Sequence, residues 1–149
     1  MGHLRDNDCV VFEAPDYAAA LGRFVHGYTG TRERAVRLAP DVFNFYAKLL
    51  VDARLPRDAR VIVTSVLAYF VVPDDVLPEA DLGPLGLMDD LYAAAYGYRM
   101  LRREVRGEVL VDAWTGDDSL DDAMGIVYSE TRAELGKTGK EVLRMAGLG

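Results

Sequence analysis

The run Val61-Ile-Val-Thr-Ser-Val-Leu-Ala-Tyr-Phe-Val-Val72, stopped by Pro73, limits the fold more than any other stretch. Its residues are apolar on nearly every side, so whatever it forms must be covered by the rest of the chain. A short continuous run of this kind does not distinguish a buried strand from a buried helix by periodicity. No other segment offers a convincing strand to pair with it, which favours a central helix that ends where proline removes an amide donor. Twelve residues are too few to span a bilayer, which takes about 20 in helical form.

The surrounding pattern is helical. Asp16 is placed to cap a helix through Tyr17–His26, closed by Gly27 and Gly30. A short segment, 32–38, meets Pro40-Asp41, after which Val42, Phe43, Phe45, Tyr46, Leu49 and Leu50 form one apolar helical face. Pro56 separates that helix from the central one. The stretch PDDVLPEADLGPLGLM is too rich in proline and glycine for a regular helix. A second long helix is expected from about Met88 to Val105, with Asp89 and Asp90 at its start and Arg99, Arg102, Arg103 and Arg106 toward its end, the charge order that suits a helix dipole. Ser119-Leu-Asp-Asp122 has the form of a capping box opening a helix toward Leu135, and Gly136 and Gly139 precede a last amphipathic turn or two ending at Leu148. The expected fold is a small all-α domain of five to seven helices around a central apolar helical hairpin, occupying 1–149 as one domain.

Composition excludes several functions. The 149 residues carry a net charge of −7, which repels phosphate backbones, so nucleic acid is not an expected partner. One cysteine, Cys9, leaves no disulfide or thiolate metal site and makes a reducing cytoplasm the default. The acidic N-terminal sequence lacks the apolar core of an export signal. Only three of the 17 basic residues are lysines, in an Ala-, Arg- and Asp-rich chain, which points to a GC-rich bacterial source.

From Val61 to Tyr98 there is no Lys, Arg or His, yet six carboxylates occur: Asp74, Asp75, Glu79, Asp81, Asp89 and Asp90. Carboxylates crowded in this way need amide donors, cations or water to stabilise their charge. The order Tyr69-Phe-Val-Val-Pro73-Asp-Asp75-Val-Leu-Pro78-Glu79, followed by Gly86-Leu-Met-Asp89-Asp90, resembles the signature of the YkvA-like family, a bacterial domain of unknown function. On that resemblance Tyr69, Pro73, Asp75, Pro78, Gly86, Asp89 and Asp90 fall on the family's motif positions, with Glu79 where Asp is more usual. It extends more loosely over 38–105, leaving 1–37 and 106–149 as helical extensions, and it implies a structural module rather than a named activity.

Two roles for the acids remain open. In one, Asp75, Asp89 and Asp90 hold helix and turn amides, Pro73 and Pro78 fix the crossover, and Gly86 permits close approach or a positive φ. In the other, Asp75, Glu79, Asp89 and Asp90 bind a divalent cation such as Mg²⁺, Mn²⁺ or Ca²⁺, with metal-dependent hydrolysis as a further step. Asp89 and Asp90 are neighbours on a helix, about 100° apart, so one of the two would be the ligand. No catalytic residue is assigned: His3 and His26 lack ligand spacing, Cys9 lacks a His partner, and Leu135-Gly-Lys-Thr-Gly-Lys140 lacks the first glycine of a phosphate loop. The expected function is therefore a non-catalytic interaction or regulatory module with a protein partner and no cofactor, with the cation-binding protein as the alternative. Peripheral membrane association through an uncovered apolar face is a further expectation to test. Tyr92, Tyr96 and Tyr98, with Tyr69 and Trp114, read as core packing rather than a ligand cage.

Overall fold

The segment that follows Gly30 shows how local chemistry shapes the fold. Glu33–Arg37 and Ala39–Leu50 are helical with only Leu38 between them, itself near-helical at φ −83° and ψ −6°. Pro40 stands in the first turn of the second helix, where it has no amide to donate into the preceding turn, so the helix breaks there and restarts. In a computed structural model of the protein, which describes residues 14–71 and 83–149, eight α-helical segments occur, or seven if this broken pair is counted as one. They are α1 (Ala14–Val25), α2 (Glu33–Arg37), α3 (Ala39–Leu50), α4 (Arg57–Val71), α5 (Met88–Glu104), α6 (Gly107–Ala113), α7 (Leu120–Leu135) and α8 (Gly139–Ala146), with 3₁₀ turns at Gly83–Leu87 and Gly136–Thr138. There is no strand among the described residues, so the all-α expectation holds.

The run beginning at Val61 is helical, and it pairs with α5 as the central hairpin. Ile62, Val63, Val66, Leu67, Tyr69 and Phe70 are buried, whereas Val61 remains 64% exposed. The expected covering is therefore nearly complete on one side only. On the α4 side, α3 packs against the hairpin and α1 packs against α3; on the α5 side lies α7, and α8 crosses both hairpin helices. The buried apolar cluster draws residues from each of the eight segments. No helix among the described residues is long and apolar enough to cross a membrane.

Helix ends follow the expected chemistry with one exception. Ser119 Oγ accepts the Asp122 amide at 3.2 Å, the N-cap half of the capping box. Gly147, at φ +81°, ends α8, and the Leu148 amide reaches back to the Leu143 carbonyl at 2.8 Å. Asp16 is the exception: it lies in the first turn of α1, which includes Ala14 and Pro15 ahead of it, and so is not the cap.

A close approach in the core occurs at Gly97 in α5. A Cβ there would lie 2.9 Å from Tyr46 Oη, 3.1 Å from Val66 Cγ2 and 3.4 Å from Ile62 Cγ2. The missing side chain lets α3 and α4 settle onto α5 together. Tyr46 is fully buried, and its hydroxyl donates a short hydrogen bond to the Ala94 carbonyl one turn earlier in α5. Burial, reinforced by neighbouring Tyr98, raises the Tyr46 pKa well above that of a free phenol, so it stays a donor. Tyr46→Phe is expected to lower the free energy of unfolding by about 1–2 kcal/mol, because it leaves a buried helix carbonyl with one partner fewer. Gly97→Ala is expected to lose about 1–3 kcal/mol through overpacking, against alanine's better helix propensity. Urea denaturation of both variants measures these losses.

Candidate functional site

The acidic motif meets the described structure at the loop end of the α4–α5 hairpin. Tyr69 lies in the last turns of α4, and its backbone neighbour Phe70 has its carbonyl bonded by the Tyr17 hydroxyl of α1 at 2.7 Å. That carbonyl belongs to the last turn of α4, where helix geometry leaves carbonyls without an intrahelical partner. Tyr17, Phe43 and Phe70 follow one another there, the first pair tilted and the second edge-on, with ring centroids 4.7 and 5.5 Å apart. The crossover is thus held from outside by α1 and α3.

On the α5 side, the 3₁₀ turn Gly83–Leu87 leads directly into the helix, and Asp89 and Asp90 fall in its first turn. Neither carboxylate has any exposed surface. Asp89 Oδ1 accepts the Asp90 amide at 2.9 Å, and Asp89 Oδ2 accepts the Tyr69 hydroxyl at 3.4 Å. Such contacts stabilise a carboxylate that burial alone would penalise. Gly86 is buried in the turn but is not among the glycines with positive φ, which in the described residues are Gly27, Gly30, Gly136 and Gly147. Pro73, Asp75, Pro78 and Glu79 lie outside the described residues. The structure therefore brings Tyr69, Gly86, Asp89 and Asp90 to one end of the hairpin, and among the described residues no three His, Cys, Asp or Glu side chains form a metal-binding group.

Residues 59–96 match the sequence profile of a family described as "Protein of unknown function (DUF1232)". The matched stretch is the hairpin itself, from the first turn of α4 to the middle of α5, and it is about a quarter of the chain. The YkvA-like family is of this broader kind, so the match agrees with the resemblance at that level. A relative described as "Uncharacterized protein ORF9" from Methanothermobacter thermautotrophicus is 29% identical over 121 residues, covering 81% of this chain and 83% of its own length. No solved structure matches.

The tyrosines do not form one cage. Tyr69 belongs to the hairpin end; Tyr98 and Trp114 each meet Phe45 edge-on, with centroids 6.0 and 6.2 Å away; Tyr92 contacts Tyr96 and stacks on Tyr128 at 6.0 Å. His26 is exposed on the turn after α1. The lysines and glycines of 135–140 form a 3₁₀ turn and the start of α8, which is no phosphate loop.

One grouping escaped the motif reading. Between α5 and α7 runs a groove of about 340 Å³ lined by Tyr98, Arg99, Arg102, Asp121, Met124 and Tyr128, among others. Arg99 lies over the Tyr128 ring at 4.6 Å, Arg132 reaches the same ring at 5.9 Å, and Arg102 lies 5.9 Å from the centre of Tyr98. The arginines of α5 are visible in the sequence as a dipole-matched helix end. What hides the groove is that its other wall comes from α7, and no local spacing announces which of α7's faces meets them.

Elsewhere the electrostatics are local. Arg54 forks between Asp52 and Asp112, holding the Asp52 pKa down to about 2 and tying the α3–α4 turn to α6. Asp41, in the first turn of α3, shows the opposite behaviour: partial burial, and then the charge of Asp117, raise its pKa above the usual carboxylate value. A raised acid favours the folded state while protonated, so its contribution is present at low pH and lost as pH rises through the folded pKa. Asp41→Asn is therefore expected to melt at a higher temperature than the parent at neutral pH, with the difference vanishing as the pH falls below about 4. Paired thermal melts between about pH 3 and pH 8 follow the effect.

Proposed function

We propose that this chain is a non-catalytic helical interaction or regulatory module of the cytoplasm, whose YkvA-like acidic motif fixes the crossover of the α4–α5 hairpin. The observation that carries this reading is the state of Asp89. Both of its carboxylate oxygens accept bonds from protein donors, and it has no exposed surface. A carboxylate enclosed in this way suits a positional role: it matches the positive end of α5 and links it to α4 through Tyr69. Hydrolysis would need a water-accessible base or metal-bound water beside it.

A second reading draws on the same burial. Two adjacent carboxylates withdrawn from solvent concentrate negative charge, and a hard divalent cation is one way to offset it, with Asp75 and Glu79 supplying further oxygens. The two readings separate in one experiment. Chelator-stripped protein is titrated with Mg²⁺, Mn²⁺ and Ca²⁺ by calorimetry and melted with and without each ion, alongside Asp89→Asn. The module reading expects no saturable heat and no ion-dependent melting shift, with Asp89→Asn destabilised by about 1–3 kcal/mol in chelator through the lost carboxylate contacts. Saturable binding that raises the melting temperature of the parent and not of the variant would establish the cation site instead.

A further inference from the structure

We propose that the groove between α5 and α7 is a docking site for an acidic segment of a partner protein, gripped by Arg99 and Arg102 of its lining and by Arg132, which lies outside the lining and reaches the Tyr128 ring. The proposal rests on the interaction-module reading and names the chemistry of the partner. Its first support is charge. In a chain with 24 acidic and 17 basic residues, spare carboxylates are abundant, yet among the described residues Arg99 and Arg132 have no ion pair and no side-chain hydrogen bond. Asp121 is the acid lining the groove, and it is already engaged by the Tyr98 hydroxyl and, at 3.9 Å, by Arg102. The groove thus presents guanidinium donors in excess of its own acceptors.

The second support is how those guanidiniums are held. Tyr128 is fixed by stacking on Tyr92 at an interplanar angle of 21°, and Tyr92 in turn lies against Gly139, where an added Cβ would come within 3.1 Å of its ring. Arg99 lies over Tyr128 at 4.6 Å, which partly orders its long side chain before any ligand arrives, and Arg132 comes within 5.9 Å of the same ring. Order in advance reduces the entropy lost on binding, and arginine and tyrosine are, with tryptophan, the side chains enriched at the energetic centres of protein interfaces.

The geometry favours a peptide over other anions. Phosphate sites of the helix N-terminal kind gather backbone amides, whereas Arg99 and Tyr98 stand in the second half of α5 and Tyr128 in the middle of α7, where backbone amides serve the helix itself. Arginine forks alone accept phosphate too, so inorganic phosphate is one arm of the test. Forked donors along an open seam match carboxylates presented in succession. A flat membrane surface would not enter a groove between two helices.

The test uses the full chain and a fluorescein-labelled deca-glutamate peptide, followed by anisotropy at low ionic strength, with the peptide checked by mass spectrometry afterward. Saturable binding is expected, weakened about tenfold in Arg99→Ala/Arg132→Ala. It should be little changed in Arg23→Ala/Arg57→Ala, which removes the same charge from α1 and α4. If the alanine pair fails to fold, Arg99→Lys/Arg132→Lys keeps the charge without the planar fork and is likewise expected to bind less tightly than the parent. Three outcomes overturn the proposal: no saturable binding, equal weakening by the remote pair, or tighter Arg99- and Arg132-dependent binding to inorganic phosphate or to phosphatidylserine vesicles than to the peptide. Absence of binding with the peptide intact removes the docking site and leaves the module reading standing, whereas cleavage of the peptide removes both.

Discussion

One hydroxyl and one missing side chain set the distances in this protein. Tyr46 reaches from α3 to the Ala94 carbonyl of α5, and Gly97, a turn further on, leaves room for it and for two branched side chains of α4. Three helices therefore meet at a point where none could move outward without exposing a buried polar group, nor inward without a clash. Dispersion and burial supply most of the stabilisation of such a core, but they are non-directional. A directional bond at this close contact selects one rotation of α3 against the hairpin from the many that would bury similar area.

From that point the rest of the architecture follows outward. With α3 fixed, its aromatic face carries Phe43 to the hairpin end, where it meets Tyr17 and Phe70, and Phe45 to the opposite side, where it meets Tyr98 and Trp114. With α5 fixed, its N-terminal turn places Asp89 beside Tyr69, and its second half places Arg99 and Arg102 beside α7. The two ends of one helix thus serve different chemistry: a sealed carboxylate pair at one, stacked guanidiniums at the other.

Much of this was legible in the chain. The alternation of apolar positions around Phe43 and Tyr46, the stops at Pro40 and Pro56, and the cap at Ser119 all act within a few residues of themselves, and the helices lie where those signals put them. The apolar run at Val61 resolved as a helix because its neighbours supply helical faces to cover it. Asp16 misled because a Pro-Asp pair fits both just before a helix and inside its first turn. The Tyr46–Ala94 bond could not be read at all, since it joins residues 48 apart and depends on how two helices rotate against each other. The same holds for the stacking of Arg99 on Tyr128. As for the acidic motif, its spacing put Asp75 and Glu79 near Asp89 and Asp90; the two loop acids lie outside the described residues, and what the structure places together at the hairpin end is Tyr69 and Asp89, with Asp90 and Gly86 beside them.

The arginine-bearing end of α5 also alters how the molecule looks to a charged neighbour at different ranges. A bare helix ends in about half a negative charge, which the formal charges of Arg99 and Arg103 exceed several-fold even with Arg102 paired to Asp121 and Arg106 to Glu108. Beyond a Debye length of about 8 Å at physiological salt, those charges merge into the field of a molecule of net charge −7. An anionic body is thus turned away at a distance and drawn in only when it is already close, so that salt eases the approach even as it loosens the grip.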